Sequence, residues 1–129
     1  MGNATGLNGK VALITGAARY RGIGRAIALR LADDGADIVV CGRPRAASSF
    51  GPHEQAMGWQ GVPSLAEEIR AKGRRALALD CDVTKKEQVV AMIDAVRAEF
   101  GRLDIIVNNA GVPSSAGSSP ILDTEEDVW

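Results

Sequence analysis

Four short apolar runs, each separated from the next by a turn and a helical pattern, set the tightest limit on how this chain can fold. They are residues 11–14, 38–41, 76–79 and 103–107. Runs of this length without polar alternation suit strands covered on both faces, as in parallel sheets. The first helical pattern opens at Gly22 and reaches about Asp34. It has Ile23, Ala26, Ile27 and Leu31 on one face and Gly35 as its C-terminal stop. A second opens at Ser64, with Glu67 completing a capping box, and closes at Gly73. A third opens at Thr84 with Glu87 as its box partner. It carries Val89, Met92, Ile93, Val96 and Phe100 at helical spacing and ends at Gly101. Alternation of this kind gives an α/β fold, with a parallel sheet and right-handed crossovers. The expectation is one Rossmann-type domain over residues 1–129, doubly wound in strand order 3-2-1-4 and cut short after about four strands. Residues 1–9 read as a flexible start and residues 112–120 as a polar loop. Thr124-Glu125-Glu126 reads as the first turn of a further helix.

Composition narrows the partners. The chain has 129 residues, 46% hydrophobic and 24% charged, with a formal net charge of −1, so no basic surface calls for nucleic acid or an anionic membrane. No apolar run approaches the length of a membrane span, and the start has no secretory h-region. The two cysteines, Cys41 and Cys81, and the single histidine, His53, match no metal spacing, so no metal site is expected. Free thiols and a cytoplasmic setting are the expectation.

Four motifs stand at strand ends, where ligands of open parallel sheets gather. The turn from Thr15 and Gly16 to Gly22, Ile23 and Gly24 joins the first strand to the first helix. Glycines there let a pyrophosphate approach the backbone, and a helix N-terminus offers free N–H donors. A plain tight turn is the competing reading. At the end of the second strand, Gly42 stands where NAD-selective folds place an acid for the ribose 2′-hydroxyl. Arg43 follows, with Arg45 close behind. A guanidinium there suits a 2′-phosphate, so NADP is favoured over NAD. Asp82-Val83 ends the third strand. Asp82 is either an acceptor for an adenine amino group or an acid at a helix entry, and both readings are compatible. Asn108-Asn109-Ala110-Gly111 follows the fourth strand and can line a groove and pin neighbouring backbone, or simply turn the chain.

Taken together, Thr15-Gly16 with Gly22-Ile23-Gly24, then Asp82-Val83, then Asn108-Asn109-Ala110-Gly111 resemble the pattern of the short-chain dehydrogenases/reductases over residues 8–129. The resemblance implies NAD(P)(H) as cofactor and hydride transfer between a small alcohol and a carbonyl. It places Gly16, Arg21, Gly22, Ile23 and Gly24 on the pyrophosphate, Arg43 on the 2′-phosphate and Asp82 and Val83 at the adenine. Asn109, Ala110 and Gly111 fall on the ribose and nicotinamide side. It further implies a homo-oligomeric whole enzyme.

Three departures accompany it. The glycine turn has five residues between Gly16 and Gly22 where the commoner form has three, so Arg19 or Arg21 takes the place of the usual arginine. That spacing is similar to the enoyl-reductase branch, which uses Ser and Ala at Gly22 and Gly24 and usually lacks the Asn-Asn-Ala-Gly motif. The connection after the second strand runs to about 20 residues, against the usual ~2–6. It is either a lid, with Phe50 and Trp59 over the adenine end, or an insertion without a role. Finally, the chain has no Tyr-x-x-x-Lys; its one tyrosine, Tyr20, has Gly24 four residues later and reads as a loop-packing residue. No catalytic residue is therefore assigned, and the chain alone is expected to be inactive. The alternative from another class is a non-catalytic dinucleotide-binding module or sensor.

Overall fold

The computed structural model describes residues 6–111 and 120–126. Among these residues four strands form one sheet: β1 (Val11–Ile14), β2 (Asp37–Gly42), β3 (Ala76–Asp80) and β4 (Ile105–Val107). All pairings are parallel and the order is β3-β2-β1-β4, as the alternation of runs predicts. β1 and β2 are central and almost wholly buried, which is why their sequences are apolar on both faces. Among the described residues four helices accompany the sheet: α1 (Ile23–Asp33), α2 (Pro52–Met57), α3 (Val62–Ala71) and α4 (Lys86–Phe100). One core cluster joins Ile14, Ile38 and Val40 to Ala28 and Ala32 of α1 and Leu65 and Ile69 of α3. A second, on the other face, joins Leu13, Val39 and Cys41 to Met92 and Val96 of α4.

Several sequence expectations shift. The buried stripe of α1 is Gly24, Ala28 and Ala32, whereas Ile23 is 73% exposed and Ala26 is also exposed. Small residues win because they let the helix axis approach the sheet. A Cβ on Gly24 would lie 3.0 Å from Ala17 Cα and 2.7 Å from Asn109 Nδ2. α3 starts at Val62, two residues before Ser64, because Pro63 is pre-set for the first helical turn. Its expected capping box is absent: Ser64 Oγ accepts the Gln60 N–H at 2.8 Å, and Glu67 pairs with Arg70. At α4 the Thr84 hydroxyl is likewise taken, donating to Asp82 Oδ1 at 2.6 Å, and Lys85 becomes the N-cap. The stretch expected to be irregular holds a 3-10 turn at Ala47–Ser49 and the six-residue α2. The expected helix start at Thr124 is a 3-10 turn at Ile121–Asp123, which Thr124 leaves in an extended conformation. The expected loop at 112–120 lies outside the described residues except for Pro120. Among the described residues, no helix is long and apolar enough to cross a membrane.

Cys41 and Cys81 are both free and buried at the ends of adjacent strands. Burial pushes the Cys41 thiol up to about 11 and raises that of Cys81 as well, so neither is a ready nucleophile.

The start of β1 is tied across the sheet by one carboxylate. Asp104 accepts the Val11 N–H at 2.9 Å and takes the Arg102 guanidinium on both oxygens at 2.8 Å. Those donors, Arg102 first, hold its carboxyl down at about 2. A folded-state value below the unfolded one, ~3.9 for Asp, means the stabilisation is complete above that unfolded value. It is lost as pH falls through the folded value. The melting-temperature gap between the native protein and Asp104→Asn should therefore be constant near neutrality and close between about pH 4 and pH 2. A gap that persists undiminished to pH 2 would show that the charge is irrelevant.

Candidate functional site

The site is built where β1 and β4 end side by side and α1 begins. Gly16 turns the chain out of β1 in the left-handed region, at φ +66°. A Cβ there would lie 2.7 Å from Ala110 Cα, so the glycine turn and the turn after β4 are in backbone contact. Thr15, one of two buried polar residues among those described, binds them together. Its Oγ1 accepts the N–H groups of Asn109 at 3.1 Å and Ala110 at 3.0 Å and donates to Val107 O at 3.4 Å. Asn109 reciprocates: its Nδ2 donates to Thr15 O at 3.0 Å and Gly16 O at 3.1 Å. The Asn109 amide thus serves as a backbone pin, one half of what the sequence suggested for it. Ala17 N–H donates to Cys41 O at 3.0 Å, tying the same turn to β2.

Beyond the turn, Gly22 caps α1 without any side-chain hydrogen bond, and no acid stands in the first turn. The leading N–H groups of this helix therefore have no carboxylate competing for them, and the helix dipole favours an anion there. Among the described residues nothing lies within 4 Å of where a Cβ on Gly111 would stand, and Arg19, Arg21 and Ile23 are exposed. The backbone donors, the close-packed glycines and the absence of local acid fit a pyrophosphate.

At the end of β2, Gly42 is buried with the Ala18 Cβ 3.0 Å from where its own would stand. Arg43 is exposed, and its positive charge helps lower the Asp82 carboxyl, behind the larger effect of the Thr84 hydroxyl and N–H. Asp82 Oδ1 accepts both those Thr84 groups, which is the helix-entry role. Val83 beside it is 42% exposed. Arg45 departs from the sequence picture. Its guanidinium is spent inside the protein, donating to Ala18 O at 3.1 Å, Ser49 O at 2.8 Å and Glu54 Oε2 at 2.8 Å. Only Arg43 of this pair faces solvent.

The connection after β2 folds onto the outer side of the glycine turn. Trp59, 7% exposed, donates its indole N–H to Ala18 O at 2.9 Å and packs edge-on against Tyr20 with ring centroids 5.2 Å apart. Turned inward, its ring is buried while its N–H is satisfied by that carbonyl. It does not form an outer cover, and Tyr20 packs in the loop as expected. Phe50 is half-buried, its ring 4.1 Å from the Arg45 guanidinium carbon. Glu54, buried at 3%, receives Tyr20 N–H at 3.1 Å, Gly51 N–H at 3.3 Å and both Arg45 Nη groups. The Arg45 contact is the first cause that holds its carboxyl below the usual range. Thr15 stands in the glycine-turn motif without a role assigned to its hydroxyl, and Glu54, behind the turn, is a residue that sequence reasoning missed. No local signal marks what either side chain does at the turn, because Asn109 lies 94 positions from Thr15 and Tyr20 lies 34 from Glu54.

The sequence pattern of the short chain dehydrogenases matches residues 10–129. The chain belongs to the short chain dehydrogenase family. Across 124 residues, 95% of this chain, it is 40% identical to a hexahydro-indene-carboxyl-CoA reductase of Mycobacterium tuberculosis and covers 40% of that protein. The L-sorbose reductase of Gluconobacter frateurii, solved with NADPH and L-sorbose, superposes with a TM-score of 0.69 at 35% identity. The match covers 98% of this chain and 41% of that one. Carveol dehydrogenase of Mycobacterium avium, solved with NAD, gives 0.68 at 33% identity, over 95% and 42%. The chain spans between 26% and 41% of the length of the curated relatives it matches.

Proposed function

We propose that the protein carrying this chain is an NADP(H)-dependent oxidoreductase that interconverts a small alcohol and a carbonyl, and that this chain supplies its cofactor-binding part. The observation that carries the reading is the interlock of Thr15-Gly16 with Asn109-Ala110. It stands at the switch point of a 3-2-1-4 sheet and opens onto an uncapped helix N-terminus. Gly16, Gly22, Ile23 and Gly24 keep the backbone close to the pyrophosphate, and Arg21 flanks it. Asp82 and Val83 border the adenine, and Asn109, Ala110 and Gly111 line the ribose and nicotinamide side. When bound, the cofactor supplies hydride transfer; these residues bind and orient it. The whole protein takes a small-molecule substrate and, on this reading, works as a homo-oligomer in the cytoplasm.

The choice of NADP rests on Gly42 and Arg43. The similar structures bind NADPH in one case and NAD in another, so the preference must come from this chain's own residues. With Arg45 occupied by Glu54, Arg43 is the guanidinium at the end of β2 left to grip a 2′-phosphate. In the whole protein, Arg43→Ala should weaken NADP(H) by ~1.5–3 kcal/mol and barely change NAD(H). Titration calorimetry with both cofactors decides it, and equal losses would sink the assignment.

A further inference from the structure

The long glycine turn and the long connection after β2 look independent in the sequence, yet the structure makes them one unit. Residues 18–20 of the turn are held from outside at three points. Ala18 O takes Arg45 and the Trp59 indole; Tyr20 N–H goes to Glu54 Oε1; Tyr20 O takes Arg25 Nη1 at 3.4 Å. Arg25 is itself fixed by a forked bond to Glu68, at 2.9 and 2.6 Å, and lies 4.2 Å over the Tyr20 ring. Glu54 joins most of these groups. It fastens Tyr20 directly, aims Arg45 at Ala18, and closes the start of α2 by accepting Gly51 N–H. A carboxylate is the only side chain that can accept on both oxygens from four such donors. Nothing in hydride transfer as described above calls for a buried carboxylate on this side of the turn.

We propose that Glu54 is a positioning residue for the cofactor: it fixes the five-residue glycine turn from behind, so that dinucleotide affinity depends on a residue that never touches the dinucleotide. This rests on the cofactor reading above. A turn with two extra residues has more conformations to lose on binding. The connection after β2 removes them in advance, which is preorganisation. Because the held residues belong to the pyrophosphate turn and not to the 2′-phosphate end, NADP(H) and NAD(H) share the effect.

The test is Glu54→Gln in the whole protein, read in two ways. The amide matches the carboxylate in shape but turns a donor toward donors, leaving Tyr20, Gly51 or Arg45 unmatched. In the cofactor-free protein, hydrogen–deuterium exchange over residues 17–25 should quicken at the Tyr20 amide. In fluorescence titrations, NADPH and NADH should both weaken by about tenfold, their ratio kept and kcat at saturation unchanged. Unchanged exchange or unchanged affinity in a folded variant overturns the proposal. So does a loss confined to NADPH, which would mean that Glu54 acts on the 2′-phosphate end. Should Glu54→Gln fail to fold, Trp59→Phe removes the indole hydrogen bond to Ala18 and trims the ring packed on Tyr20. It should weaken both cofactors by a common factor of about 3, and no change there is equally fatal. A native protein that binds neither dinucleotide removes the cofactor reading and the affinity claim with it. The exchange measurement then reads separately whether Glu54 orders the turn.

Discussion

Gly16→Ala should destabilise the protein by about 3–5 kcal/mol and abolish detectable dinucleotide binding. Two costs add at this position. An L-residue with φ of +66° is strained by roughly 1–2 kcal/mol. The new Cβ would then stand 2.7 Å from Ala110 Cα and 3.0 Å from Ala110 N, both backbone atoms. They cannot withdraw cheaply, because Asn109 and Ala110 are fastened to Thr15 by three hydrogen bonds. Gly73 separates the two costs. It has φ +84° with nothing within 4 Å of its missing Cβ, so Gly73→Ala carries strain alone, about 1 kcal/mol. Urea melts of both variants make the comparison. Equal losses would mean that the backbone contact with Ala110 contributes nothing and that Gly16 is an ordinary turn glycine.

What was legible in the sequence follows from the range of the interactions involved. The strands and the placing of the four motifs are marked by the apolar runs and by glycines, which act on their immediate neighbours, and the strand order follows from the topology such alternation adopts. Helix α1 shows the limit of periodicity: Ile23 has the right spacing for burial but the wrong size. The stripe that meets the sheet is Gly24, Ala28 and Ala32 because the helix start at Gly24 packs so closely on Asn109 and Ala17. Helix starts moved where a local competitor was overlooked, Pro63 at α3 and the Asp82–Thr84 turn at α4. The connection after β2 was the least legible part. Arg45, Glu54 and Trp59 reach Ala18 and Tyr20 across 27 to 41 positions, and no spacing rule encodes such contacts. Arg45 illustrates the consequence. By composition it is a second cation for a phosphate; in the fold it is neutralised within the protein by Glu54.

Thr15 gives the second large expected effect. Its hydroxyl is the acceptor for two backbone N–H groups, Asn109 and Ala110, and the donor to a third group, Val107 O. Valine has nearly the same shape, so Thr15→Val leaves the packing of this 6%-exposed site in place and removes the polar atom alone. The penalty then comes from leaving buried groups unpaired, ~1–3 kcal/mol for each, and not from a cavity. The Asn109 N–H keeps Val107 O at 3.0 Å, so the Ala110 N–H alone is orphaned, and the expected loss is about 1–3 kcal/mol in denaturant melts. Thr15→Ser retains the hydroxyl and loses one methyl, so it should stay within about 1 kcal/mol of the native protein. The same pair separates stability from function. If the hydroxyl sets the relation between the glycine turn and the turn after β4, Thr15→Val should also weaken dinucleotide binding at temperatures where it is fully folded, while Thr15→Ser should not. A Thr15→Val protein as stable as the native one, or one that is destabilised yet binds with native affinity, would detach the interlock from the site and leave it a feature of the fold alone.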